Sequence, residues 1–334
     1  MSKDIHADIT QRFIEALENG TRPWERDWLT YGLPTRATGQ QYRGINMLIL
    51  ADQAEQCGYT NPNWLTYNQA AELGGNVRKG EKSTAIVFYK QSQLVDGEGA
   101  PVADANGKDK SLWLLRRYNV FNVEQIDGLP EGKFAPPVMP TTQLERNEID
   151  KAAEAALRST GAQIDNDGNG RAFYRPSTDS IHLPRFEAFL NVGGYLTTMA
   201  HELCHWTGAK HRLDRDLANR FGSKDYAFEE LVAEIGAAFV CARLGIAGDH
   251  FDNHAAYVSG WLEKLRGDKK FIFKAAALAQ KAADYVLQNA AGQDIAAPKA
   301  QTVTAKPIAS PVPDFVPQPA FIPQPAPAAQ LALF

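Results

Sequence analysis

One short segment of the chain has the residue types and the spacing of a catalytic metal site. It reads His201-Glu202-Leu203-Cys204-His205. Residues four apart on a helix share one face, with about 5–6 Å between their Cβ atoms, so both imidazoles can reach one zinc ion. Glu202 is rotated away from the histidines and can reach a metal-bound water without binding the metal. The spacing predicts a zinc site with His201 and His205 as ligands and Glu202 as general base.

A catalytic zinc usually takes a third protein ligand, and two parts of the sequence offer one. His211 completes the metzincin spacing, but that class carries a methionine downstream of the motif. All four methionines of this chain precede His211. A predicted helix over 228–244 instead carries Glu229, Glu230 and Glu234 on or near an apolar face, where a carboxylate is costly unless it is paired or bound to metal. We favour Glu230 as the ligand, with Glu229 and His211 as alternatives and Glu234 as a residue that orients a ligand histidine.

The elements that must position this site are predicted to be mostly helical. Apolar periodicity predicts a helix over 196–206, a preceding helix near 143–159, and helices to about 290. Two short strands are expected at 171–175 and at Ser180–Leu183. In zinc peptidases an edge strand here pairs with the extended substrate, which would turn His182 to the cleft. A lone strand histidine is, however, more often an ordinary surface residue.

The region before the site is predicted to mix helices and strands. Helices are expected to end near 19–20 and to cover 45–57 and 65–73. Strands are expected at 84–90 and 112–121, joined by a polar hairpin loop at 96–110. The fold class is therefore α+β, divided into a first domain at 1–130, a proline-rich linker at 131–142, a mostly helical domain with a small sheet at 143–290, and a disordered Ala/Pro-rich tail at 291–334.

Composition limits the cell compartment and the possible partners. The formal net charge is −4, so nucleic-acid binding would need a local basic patch. The three cysteines form no CxxC pair, which argues against a disulfide framework and for a reducing compartment. No apolar run reaches the roughly 18 residues of a membrane span, and the N-terminus does not resemble a signal peptide. We expect a cytoplasmic protein with no membrane association.

The first region interleaves aromatic and basic residues, as single-strand binders do. Four of the six tryptophans precede residue 130. Stacking of a base on an aromatic ring is worth about 1–3 kcal/mol, and neighbouring cations neutralise phosphates. The same aromatics could equally fill a small core. The candidate DNA-binding residues are Tyr42, Arg43, Trp64, Arg78, Lys79 and Lys82.

A set of segments carries a family resemblance when taken in order: 63–70, 75–82, 180–184, 201–208, 212–215 and 229–239. Those of the first region look like the N-terminal domain of the ArdC-type antirestriction proteins, which is also related to the N-terminal part of plasmid TraC-type primases. Those of the second region look like the same family's zincin-like metallopeptidase domain. The resemblance covers about 1–290.

This resemblance implies a plasmid-encoded protein that shields incoming DNA from host restriction during conjugation. It implies that 1–130 binds single-stranded DNA and that 143–290 binds metal through His201 and His205. The family often has serine at the position of His211, which weakens His211 as a ligand. The resemblance leaves open whether anything is cleaved, with a host restriction component or another protein as the conceivable substrate. The alternative is a DNA-binding module whose metal is structural.

Overall fold

The computed structural model describes residues 4–24, 32–93, 111–135, 142–168, 170–215, 224–247 and 255–290. The predicted loop at 96–110 and the predicted tail at 291–334 lie outside the described residues, as does half of the predicted linker at 131–142. Among the described residues, no helix has the length and apolar character needed to cross a membrane.

The described residues form an α+β fold, as predicted. The helices are α1 Ile5–Glu18, α2 Ile45–Cys57, α3 Tyr67–Glu72, α4 Gln143–Arg158, α5 Val192–Trp206, α6 Lys224–Leu244, α7 Ala255–Gly267 and α8 Phe271–Ala290. The strands are β1 Thr35–Arg36, β2 Asn63–Leu65, β3 Asn76–Val77, β4 Thr84–Gln93, β5 Ser111–Asn122, β6 Ile126–Asp127, β7 Gln163–Asn166, β8 Phe173–Arg175 and β9 Ser180–Leu183.

The first region is built on a four-stranded sheet of order β1-β2-β5-β4, beside a small antiparallel β3-β6 pair. The long β4-β5 ladder runs from Thr84 opposite Val120 to Gln93 opposite Ser111. Both strands were predicted, and each extends beyond its predicted bounds. The helix predicted at 65–73 starts later, because Thr66 caps α3 by accepting a hydrogen bond from the Gln69 backbone N–H.

The second region has a three-stranded sheet of order β7-β9-β8. Strand β9 lies in its centre, parallel to β7 and antiparallel to β8, so the expectation that Ser180–Leu183 is an edge strand is wrong. The His182 side chain on this strand contacts its neighbours in and beside the sheet. Its Nδ1 lies 2.7 Å from Asp167 Oδ2, its Nε2 lies 3.0 Å from Ser180 Oγ, and its ring stacks on Phe173.

One apolar core joins α1 and α2 with the helices of the second region. Within it α5 and α6 run antiparallel: His205 meets Glu229 at one end, and Thr197 meets Cys241 at the other. A Cβ at Gly236 would lie 2.8 Å from Cys204 Sγ, so glycine at this point of α6 lets the two helices approach closely.

Candidate metal centre

Helix α5 presents the His-Glu-x-x-His segment from within the core. Its start is fixed by Asn191, whose side chain accepts a hydrogen bond from Gly194 N–H at 2.8 Å. His201 and Glu202 are each 7% exposed. A buried polar group needs a partner, so side chains at these positions must be satisfied by what faces α5.

Three predicted ligand side chains converge between α5 and α6. His201 Nε2 lies 3.1 Å from His205 Nε2. The Glu230 carboxylate lies between them, with Oε2 3.6 Å from His201 Nε2 and Oε1 3.5 Å from His205 Nε2. The ligand atoms of all three residues lie within 4.8 Å of one another. Two imidazole nitrogens and one carboxylate oxygen are a donor set that zinc accepts in catalytic sites.

The carboxylate and the two imidazoles of this cluster stabilise one another's charged forms. Burial alone would raise the pKa of Glu230, but the hydrogen bonds and opposite charges of His201 and His205 outweigh it and hold that pKa well below its usual range. Burial alone would lower the pKa of both histidines, but their bonds to the carboxylates raise both pKa values, that of His205 more strongly. The buried Glu230 carboxylate therefore stays ionised beside cationic imidazoles. A divalent cation can take the place of the imidazole protons.

Glu229 orients one of these histidines. Its Oε1 lies 3.2 Å from His205 Nδ1, which leaves Nε2 of that ring directed at Glu230. The sequence offers Glu229 as an alternative ligand and Glu234 as the orienting residue, whereas at His205 the orienting contact belongs to Glu229. This arrangement of a ligand histidine with a carboxylate on its other nitrogen fixes the tautomer and the ring angle.

Arg215 holds Glu229 in place, a role that no spacing in the sequence indicated. Arg215 Nε and Nη2 donate to the two carboxylate oxygens at 3.0 and 2.8 Å. It also donates to Thr207 Oγ1 and to the Cys204 carbonyl, which ties the segment after α5 to the helix end. Burial alone would raise the pKa of Glu229, but His205 and Arg215 together lower it.

His211 lies outside this cluster. Its side chain is 66% exposed, and its Nε2 is 3.5 Å from Asp179 Oδ2. The neighbouring Arg212 instead turns inward, donates to Asp179 and to the Trp206 carbonyl, and stacks over the Trp206 ring at 4.0 Å. The cationic run around His211 and the resemblance over 212–215 were the only sequence signals for these arginines.

Two candidate DNA-binding aromatics are buried, which corrects their predicted role. Trp64 is 1% and Tyr42 is 5% exposed, so neither ring offers a face to a base. Trp64 packs edge-on against Tyr59 with ring centres 5.9 Å apart, and Tyr42 lies under the Arg36 guanidinium at 5.1 Å. Burial raises the pKa of Tyr42 to about 12, so its phenol stays neutral. Because these rings are large, burying them in the core stabilises the fold more than leaving them exposed for a base would.

The basic candidates remain at the surface, where Arg43 and Arg78 form ion pairs. Arg43 pairs with Asp284 on α8. Arg78 pairs with Glu81 Oε1 at 2.7 Å and lies 3.5 Å from Asp127. Lys79 and Lys82 are exposed beside it. Exposed pairs of this kind cost little to break, so these cations are available to phosphates.

Comparisons with known proteins cover both regions. Residues 3–121 match the N-terminal domain of anti-restriction factor ArdC, and residues 151–278 match a zincin-like metallopeptidase family. The metal-free crystal structure of the antirestriction ArdC protein from the R388 plasmid superposes with a TM-score of 0.72 at 43% identity, covering 86% of this chain and 98% of that one. Its Mn(II)-bound structure gives a TM-score of 0.70 at 41% identity.

Other proteins match as well, one of them much longer than this chain. A DNA primase TraC of Escherichia coli is 43% identical over 307 residues, which is 86% of this chain but 27% of the primase. The chain therefore spans about a quarter of that relative's length. The uncharacterized protein y4eC of Sinorhizobium fredii (strain NBRC 101917 / NGR234) is 39% identical over 289 residues, which is 91% of its length.

Proposed function

The chain belongs to the ArdC family of antirestriction proteins, and from this we propose that it binds single-stranded DNA and protects incoming plasmid DNA from host restriction during conjugation. We propose the recipient cytoplasm as its place of action. The solved relative from the R388 plasmid is an antirestriction protein, and the present chain covers 98% of it. The surface cations at 78–82 and at Arg43 support contact with phosphates.

We further propose that His201, His205 and Glu230 hold one zinc ion. The observation that carries this proposal is the convergence of their ligand atoms within 4.8 Å in a buried position. The Mn(II)-bound structure of the relative supports a divalent cation, and the donor set favours zinc.

The same geometry supports a hydrolytic reaction on a protein, with a host restriction component as one candidate substrate. A zinc ion bound there would activate water and polarise a peptide carbonyl. Glu202, next to His201 and outside the ligand group, is the residue of this chain that would take up and return the proton. Three protein ligands also leave one tetrahedral position for water or substrate.

The alternative is a DNA-binding module whose metal only stabilises the fold. Burial of the cluster inside the common core favours this alternative, because a metal there would strengthen the contact of α5 with α6. Glu202 separates the two functions, since a structural site gains nothing from a general base. The test is protection of plasmid DNA from restriction by Glu202→Gln, with metal content measured in parallel. Normal protection with normal metal content supports the structural alternative, and lost protection with normal metal content supports hydrolysis.

Metal content tests the site itself. Wild-type protein should carry one equivalent of zinc, and the double variant His201→Ala/His205→Ala should carry almost none. His182→Ala, which changes a histidine held within the sheet, is the matched control and should keep its metal. One equivalent remaining in the double variant would place the metal elsewhere.

Titration of labelled oligonucleotides tests DNA binding. Single strands should bind more tightly than duplex, and the affinity should fall steeply with salt because phosphate contacts release counterions. Equal affinity for duplex would exclude a preference for single strands.

A further inference from the structure

A cavity of about 710 Å³ lies where the segment around 33–47 meets α6 and α8. This volume is within the range of ordinary ligand sites, roughly 300–1,000 Å³. Apolar side chains line part of it, among them Met47, Phe239 and Leu287. The cavity is separate from the metal cluster, because its lining residues on α6, Phe239 and Arg243, follow Glu230 by 9 and 13 residues, a rise of about 14 and 20 Å.

The polar lining of this cavity carries an excess of positive charge. Arg36, Arg43 and Arg243 line it, and Asp284 is the only acidic residue among the described residues of the lining. The lining is therefore cationic in a chain whose formal net charge is −4. Asp284 is engaged by Arg43, while Arg243 donates to the neutral Gln41 amide.

Arg36 is the strongest candidate in the lining for contact with an anionic ligand. Its guanidinium lies 5.1 Å from the ring centres of both Tyr42 and Phe88. No carboxylate among the described residues pairs with it, and its buried Nε has no hydrogen-bond partner there. Two aromatic rings thus hold the guanidinium in a fixed orientation without a carboxylate partner among the described residues, which suits contact with a phosphate.

Glutamine amides complete the lining, including those of Gln40, Gln41 and Gln288. An amide offers both donors and an acceptor, as the edge of a nucleobase requires. Apolar surface for a base, amides for its edge and arginines for its phosphate are together a nucleotide-recognition set.

We propose that this cavity seats one nucleotide unit of a bound single strand, with the phosphate at Arg36 and Arg243 and the base against the apolar lining. This inference rests on the proposed binding of single-stranded DNA and locates part of that binding in the cavity. It also gives a new role to Tyr42, whose ring supports the Arg36 guanidinium, while Arg43 pairs with Asp284 in the cavity wall and can exchange that exposed pair for a phosphate.

The test compares full-length wild type with Arg36→Gln and Arg243→Gln in titrations of a labelled oligothymidylate. Loss of one charged hydrogen-bond donor should weaken binding about tenfold or more. The slope of log affinity against log salt should fall by about 0.7 for each arginine removed. Arg266→Gln, an exposed arginine paired with Glu18 away from the cavity lining, is the matched control and should bind as wild type.

The outcomes distinguish failure of the cavity assignment from failure of the proposed binding of single-stranded DNA. If wild type binds the strand and both variants bind equally well, the cavity assignment is overturned and the proposed DNA binding stands. If wild type binds no single strand, both are overturned. If thymidine monophosphate binds as tightly as the oligonucleotide, the cavity serves a free nucleotide and the strand assignment is overturned. Should Arg36→Gln fail to fold, the exposed Arg243→Gln decides, with metal content as the check on its integrity.

Discussion

Replacing Glu229 by glutamine should weaken metal binding without removing a metal ligand. In the structure its Oε1 lies 3.2 Å from His205 Nδ1, and both of its carboxylate oxygens accept hydrogen bonds from Arg215. A glutamine of the same shape has one oxygen, so its NH₂ group must face either the imidazole N–H or the guanidinium. The His205 ring then loses either its fixed tautomer or its fixed angle, and a metal bound to Nε2 loses an aligned donor.

The size of the effect follows from the kind of contact. Loss of a residue that orients a ligand typically costs 10–100-fold in metal affinity. At about 1.4 kcal/mol per factor of ten, this corresponds to about 1.4–2.8 kcal/mol. A second cost falls on stability with or without metal, because Arg215 is 5% exposed at its side chain and would lose the charge of its partner. Breaking a buried ion pair from one side costs about 3–5 kcal/mol.

The assay must separate these two costs. Calorimetric titration of chelator-treated protein with Zn²⁺ gives the affinity, and denaturant unfolding in chelator gives the metal-independent stability. Asp179→Asn is the matched control, since it weakens the neighbouring ion pair of Arg212 without touching His205. We expect Asp179→Asn to keep wild-type zinc affinity. Wild-type zinc affinity in folded Glu229→Gln protein would refute the reasoning, and packing of α5 alone would then position His205.

Three further changes have clear expected results. Glu230→Ala should lower zinc affinity far more than His211→Ala in the same titration, and the reverse order would make the site metzincin-like. Gly236→Ala should destabilise the fold by about 1–3 kcal/mol in denaturant unfolding, because the new Cβ would lie 2.8 Å from Cys204 Sγ; unchanged stability would show that the helices can separate freely. Trp64→Ala should cost about 3–5 kcal/mol of stability as a core residue, and a variant that keeps full stability but loses DNA binding would restore the stacking role.

The convergence of the three candidate ligands was predictable from helix spacing and from the polarity of one helix face. His201 and His205 are one turn apart, and Glu230 stands out as a carboxylate on an apolar helix face. The pairing of Glu229 with Arg215 was not predictable, because Arg215 lies in the irregular segment after α5, where no periodicity indicates direction. The strand order was not predictable either. Alternating polar and apolar residues mark Ser180–Leu183 as a strand, but the polar strand Gln163–Asn166, which makes β9 central, has no comparable apolar signal.

The DNA-binding aromatics show a different limit of sequence reasoning. An aromatic residue beside an arginine has the same pattern whether the ring stacks on a base or the arginine stacks on the ring. Truncating a large buried ring costs about 3–5 kcal/mol, more than the roughly 1–3 kcal/mol that one stacked base returns. The folded chain follows the stronger of these two stabilising effects: Trp64 and Tyr42 enter the core, and Arg36 covers Tyr42. A cation held on a buried ring remains able to meet phosphate, so we propose Arg36, and not the ring of Tyr42, as the group in contact with DNA.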